Sequence, residues 1–174
     1  SCGMALEPIE PTLVDGPDPE LIDMSRRFKI GAVLTLPLVL LAMGEMLPVT
    51  ELHALVPQAL SNWVQLVLAM PVVFWVGAPL FQRGFQSFRT GNLNMFSLIA
   101  LGTGVAFLYS LVATFLPALF PPSFQNPHTG LVGVYFEAAA VIVTLVILGQ
   151  VLELKARGQT SGAIRALLSL APKT

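Results

Sequence analysis

Charge and cysteine are what this sequence has little of. Only 11% of its 174 residues are Asp, Glu, Lys or Arg, where a soluble domain carries about a quarter. With 55% hydrophobic residues and a mean hydropathy of +0.76, that scarcity excludes an ordinary soluble domain and gives a membrane protein. The single cysteine, Cys2, excludes an internal disulfide and leaves the redox compartment open. A phosphate-cradling glycine loop, a nucleophile elbow and a basic nucleic-acid patch are all missing, so no nucleic acid is expected as a partner. A signal-peptide pattern is missing too. Residues 1–25 instead hold four prolines and six acidic residues, which reads as an extended, solvated leader with a short helix expected to begin over 18–24. With no initiating methionine and a polar end, the chain is expected to be a piece of a longer protein.

Basic residues are also missing from two particular places, and this sets the topology. Apolar runs over 30–47, 62–80, 95–116 and 131–157 are each long enough to cross a hydrocarbon core of about 30 Å. All nine Lys and Arg residues fall in the leader, the second link and the tail, and the first and third links carry none. By the positive-inside rule this places both termini and the second link in the cytosol. Lys155 and Arg157 anchor the end of the fourth span. The fold class expected is all-α, with four transmembrane helices. Pro37 lies inside the first span, which a membrane helix tolerates when neighbours satisfy the freed carbonyl.

The second span does not end cleanly. Gly77 and Pro79 break it, and FQRGFQSFRT follows over 81–90. Phe81, Phe85 and Phe88 recur at one-face helical spacing, with Arg83 and Arg89 elsewhere on the wheel. The pattern predicts a kinked helix whose second half lies as an amphipathic platform in the membrane interface; a loop with aromatic anchors is the alternative.

The fourth span contains two carboxylates, Glu137 and Glu153, with Gln150 between them. An ionisable group in a span points by default to an ion or substrate path, and interfacial residues reaching for water are the other reading. Sixteen residues apart, the two carboxylates differ by roughly 160° around an ideal helix and cannot share one site. Glu153 falls at the cytosolic end and Glu137 at the outer one. Met95 opens the third span at the same depth as Glu153. A thioether beside a carboxylate suits a soft monovalent ion such as Cu(I) or Ag(I); a gap-filling membrane methionine is the plainer reading. Cys2 could form half of a metal knuckle or stand alone. Met43 and Met46 could meet a soft metal or simply pack, and His53 and His128 read as solvated link residues.

LNMFSLIALGTGVAFLYS (93–110), VYFEAAAVIVTLVILGQVLELKAR (134–157) and QTSGAIRALLSLAPKT (159–174) closely resemble the heavy-metal P-type ATPases of the copper- and silver-exporting subclass. QLVLAMPVVFW (65–75), RGFQSFRTGNLNM (83–95) and CGMALEP (2–8) extend the resemblance over nearly the whole chain. The resemblance implies four parts. Residues 1–25 end a Cys-rich metal-binding segment, and 26–90 form the class-specific helix pair with its platform. Residues 91–157 form the first two core helices, and 158–174 begin the linker to an actuator domain. It implies that Met95 and Glu153 contribute to the cytosolic metal-entrance site, that Glu137 serves release, and that Cys2 is an N-terminal metal ligand. It also implies that the platform around Gly77, Pro79, Arg83 and Arg89 receives the ion from a copper chaperone or a metal-binding domain. The family's Gly-Gly kink becomes Val76-Gly77 here.

The family's T-G-E, C-P-C and D-K-T-G-T motifs are absent from these residues. ATP and Mg2+ are therefore expected to be handled by other domains, and this segment alone is expected to be inactive. The sequence thus reads as the membrane portion of an ATP-driven Cu(I) or Ag(I) exporter, in a bacterial inner membrane. The rival reading is a non-catalytic four-helix module for metal binding or assembly. A passive channel is disfavoured because no ring of polar residues repeats along any span.

Overall fold

Proline and glycine decide where the helices of this chain begin, bend and stop. The computed structural model describes residues 18–46, 57–127 and 129–169. Helix α1 spans Pro19–Met46. Pro19 takes the first helical position, where its missing N–H costs nothing, and the Asp18 carboxylate accepts a hydrogen bond from the Glu20 N–H at 2.9 Å. The short helix expected over 18–24 is therefore the first part of α1. It runs without a break through the basic collar of Arg26, Arg27 and Lys29, and Pro37 is carried inside it.

Helix α2 spans Gln58–Pro71 and passes into a π-helical turn, Val72–Val76. Helix α3 follows at Ala78–Thr90 and ends on Gly91, whose φ of 70° is left-handed. Such a helix end favours glycine because no Cβ clashes there. Helix α4 spans Met95–Phe115 and starts from a reciprocal cap: Asn94 Oδ1 accepts from the Ser97 N–H at 3.2 Å, and Ser97 Oγ accepts from the Asn94 N–H at 2.8 Å. Helix α5 spans Phe136–Ser169. It starts later than the apolar run suggests, because 131–135 is tied into the preceding link. Gln125 and Val132 form an isolated antiparallel bridge, and the Tyr135 N–H donates to Ser110 Oγ at 2.7 Å. At its other end α5 continues through Gly158 and Gly162, where the sequence suggested a link.

Among the described residues four helices, counting α2 with its π-turn as one, are long and apolar enough to cross a membrane. Helix α5 is central: it packs against α1, α2, the π-turn and α4. Leu38, Val72, Val76, Ala139, Ala140, Val143 and Ile147 are fully buried between these elements. Membrane helices gain little from hiding apolar surface, so close approach and polar contacts hold them together. Two such features join α1 to α5. The buried hydroxyls of Thr35 and Thr144 are 2.9 Å apart. One turn earlier, a Cβ on Gly31 would lie 3.2 Å from both Thr144 Oγ1 and Val76 Cγ1. Phe107 joins α4 to its neighbours, edge-on to Phe74 at 5.4 Å and to Phe136 at 5.5 Å. Leu36, Leu40, Leu98, Leu108 and Leu145 stay exposed on the outside of the bundle, as a lipid-facing surface requires.

Candidate functional site

The kink is built from three residues and braced by a fourth. Pro79 has no N–H, so the carbonyl of Trp75, four residues back, loses its helical donor. Arg27 of α1 supplies the replacement: its guanidinium donates to the Trp75 carbonyl oxygen and lies 5.0 Å over the Trp75 ring. A carboxylate on the same helix, Asp23, holds that guanidinium at 2.7 Å. Between these points the Gly77 N–H bonds to the Val72 oxygen at 2.9 Å, a five-residue span that widens the helix locally. Gly77 meets a spatial demand here rather than a conformational one. Its φ is −78°, but a Cβ would sit 2.6 Å from the Val73 carbonyl oxygen.

Helix α3 lies against α4 along Leu80, Gly84 and Ser87, all buried. Gly84 permits the contact, since a Cβ there would be 2.7 Å from Ala100 Cβ and 2.8 Å from the Phe96 oxygen. One turn on, the Ser87 and Ser97 hydroxyls are 2.9 Å apart, and Ser87 also donates to the Asn92 carbonyl. Phe85 and Phe88 are exposed, whereas Phe81 is partly buried against the core. The aromatic face expected from the sequence is thus split, and the residues α3 buries are Leu80, Gly84 and Ser87.

The two arginines of α3 differ in kind. Arg89 is exposed. Arg83 points into the bundle, where one branch forms a 2.6 Å ion pair with Glu20 of α1. The other branch donates to Gln150 Oε1 of α5 at 2.8 Å, and the guanidinium lies 5.4 Å over the ring of Phe96. One cation therefore ties together α1, α3, α4 and α5.

Met95 and Glu153 each lie next in line to a residue that touches this cation, Phe96 and Gln150. Met95 is the first residue of α4, next to Phe96, and 58% exposed. Glu153 lies one turn beyond Gln150 on α5. Its Oε2 accepts from Gln150 Nε2 at 3.2 Å, and its Oε1 pairs with Arg157 at 2.6 Å. Both therefore belong to the end of the bundle that gathers the basic residues. Glu137 stands in the first turn of α5, at the opposite end, and is half-buried. Among the described residues no three His, Cys, Asp or Glu side chains gather in a way that could hold a metal. Met43 is exposed on α1; Cys2, His53 and His128 lie outside the described residues.

Sequence reasoning missed the residues that position the site. Arg27 was read only as part of a basic collar, and Gly84 was not singled out. Gln150 was noted but given no role. A signal existed for two of them: the missing N–H of Pro79 demands a donor, and Gly84 lies four residues after Leu80 and three before Ser87, on a face of α3 without aromatics.

No family model matches the chain. Over 173 residues, 99% of this chain, it is 57% identical to a silver exporting P-type ATPase from Salmonella typhimurium, of which it covers 21%. It is 56% identical over the same length to a copper-exporting P-type ATPase from Legionella pneumophila, covering 23% of that protein. A copper-transporting P-type ATPase from Rhizobium leguminosarum is 53% identical over 174 residues, and the chain covers 20% of it. The chain thus spans about one fifth of the length of these relatives. Matched from end to end at this level, it is a homologue of a segment of the copper- and silver-exporting P-type ATPases.

Proposed function

We propose that this chain is the N-terminal membrane portion of an ATP-driven exporter of Cu(I) or Ag(I), and that it supplies the place where the ion enters the membrane domain. The observation that carries the proposal is the arrangement at the basic end of the bundle. There Met95, a soft donor, opens α4 one residue before the Phe96 ring that Arg83 covers, and Glu153, an anionic one, is joined to Arg83 through Gln150 on α5. The names of the relatives support the choice of cargo. In this reading the basic end faces the cytosol of a bacterial cell, and α3 lies in the membrane interface as a platform. A copper chaperone or an N-terminal metal-binding domain delivers the ion there, with the exposed Arg89 available to an acidic partner. Cys2 belongs to the metal-binding segment that precedes α1. Met95 and Glu153 take the ion, and Glu137, at the far end of α5, assists its release. Hydrolysis of ATP with Mg2+ takes place in domains outside these residues and drives the helices between inward- and outward-facing states.

The test uses the intact ATPase that contains this chain. Met95→Ala together with Glu153→Ala is expected to abolish Cu(I)-stimulated ATP hydrolysis while leaving the protein in the membrane. Undiminished Cu(I)-dependent turnover would overturn the entrance assignment.

A further inference from the structure

Resting on the reading of Glu153 as an entrance ligand, we propose that Gln150 is its positioning residue. Gln150 fixes one oxygen of the carboxylate, so that the incoming ion exchanges with Arg157 at the other.

The argument starts from which groups can donate. A guanidinium only donates and a carboxylate only accepts. An amide standing between them therefore has one orientation, with its oxygen toward the guanidinium and its nitrogen toward the carboxylate. Gln150 stands in that position: Oε1 accepts from Arg83 at 2.8 Å, and Nε2 donates to Glu153 Oε2 at 3.2 Å. The amide is 8% exposed, and Arg83 cannot turn away without giving up Glu20 at 2.6 Å and the ring of Phe96. The orientation of the amide is thus set by contacts reaching α1, α3 and α4, none of which belongs to the helix that carries Glu153.

The two oxygens of Glu153 are consequently unequal. Oε2 is held from the protein side by a buried, oriented donor. Oε1 is held by Arg157 one turn away on the same helix, in a pair whose side chains are 34% and 46% exposed. Exposed pairs of this spacing are weak and screened by salt. The oxygen that becomes available to an arriving ion is therefore Oε1. The step is a ligand exchange: the Arg157 hydrogen bond breaks, a bond from Oε1 to the cation forms, and the guanidinium moves into solvent. No electron is transferred. One monovalent cation replaces another, so the charge around the carboxylate is unchanged by loading. A divalent ion would leave an excess positive charge close to Arg83.

The experiment measures Cu(I)-dependent ATP hydrolysis by the intact ATPase, with free Cu(I) set by a chelator. Gln150→Leu, and Gln150→Asn as a variant that stays polar but is too short to reach both partners, are each expected to raise the half-activating Cu(I) concentration about ten-fold. The maximal rate should stay within about two-fold. Arg157→Gln is expected to lower the half-activating concentration, because the competing cation is gone. If the Gln150 variants lower only the maximal rate, or change neither quantity while Glu153→Ala remains impaired, the positioning role is wrong and the entrance reading survives. If Glu153→Ala itself loses nothing, both are overturned.

Discussion

Arg27 on the first helix donates to the backbone oxygen of Trp75 on the second, the very carbonyl that Pro79 leaves without a helical partner. The bend that separates α2 from α3 is therefore stabilised from outside its own chain segment, and its angle depends on α1. A proline kink on its own is a soft point. This one is braced by a charge-assisted hydrogen bond and by a cation over the Trp75 ring at 5.0 Å.

Removing the brace should be costly, and restoring the lost N–H should offset part of the cost. Arg27→Met is expected to lower thermal stability in detergent by about 1–3 kcal/mol, since it removes the charged donor to the Trp75 carbonyl. Adding Pro79→Ala, which returns a helical donor, should recover part of that loss. An Arg27→Met protein as stable as the parent would show that the carbonyl is satisfied in some other way.

Gly77 and Gly102 make a matched pair of tests. A methyl group at Gly77 would press on the Val73 carbonyl oxygen at 2.6 Å, whereas nothing lies within 4 Å of the same atom at Gly102. Gly77→Ala should cost about 1–3 kcal/mol through overpacking and a shifted bend. Gly102→Ala, in the interior of α4, should be neutral or stabilising by up to about 1 kcal/mol. Equal effects at the two positions would remove the argument from close approach.

The seat of α3 on α4 can be trapped chemically. With the Ser87 and Ser97 hydroxyls 2.9 Å apart, the double variant Ser87→Cys/Ser97→Cys should form a disulfide on mild oxidation, read as a mass loss of two hydrogens. Placing Gly84→Leu in the same chain should abolish it, because a side chain there collides with Ala100 and the Phe96 backbone. Cross-linking that persists with Leu at position 84 would mean that the helices meet differently.

The Thr35–Thr144 contact is suited to a double-mutant cycle. Replacing each with valine, singly and together, should give a coupling of about 0.6 kcal/mol, the usual size for a hydrogen bond between membrane helices. Additive losses would mean that the two hydroxyls stabilise their own helices and not the α1–α5 junction.

Much of this fold was legible in the sequence because membrane spans are encoded redundantly, in long apolar runs edged by charge. The number of helices and the bend after the second followed from hydropathy, Gly77 and Pro79. The limits of the helices were less legible. Helix α1 starts at Pro19 because Asp18 caps it, and α5 starts at Phe136 because Ser110, on another helix, holds the Tyr135 N–H. Contacts of that kind are invisible to a periodicity argument. The same holds for the site. Met95 and Glu153 could be placed at one depth by counting along antiparallel helices. That Arg83 turns inward to Glu20 and Gln150 could not, because nothing local distinguishes it from the exposed Arg89. Amphipathic patterning tells which face is apolar, and α3 buries Gly84 and Ser87 beside Leu80 while exposing Phe85 and Phe88.

Helix α5 is 34 residues long, about 51 Å end to end, and a bilayer core accounts for only about 30 Å of that. The rest is a shaft. It runs without a proline or a break over its whole length. Glu153 is 16 residues from Ser169, about 24 Å along the rod, so an unbroken run of helical turns connects that end to the carboxylate. A turn of one residue, about 100°, would carry Gln150 away from Arg83, and with it the donor that holds the carboxylate. The Gln150 contacts thus depend on how α5 is turned about its own axis.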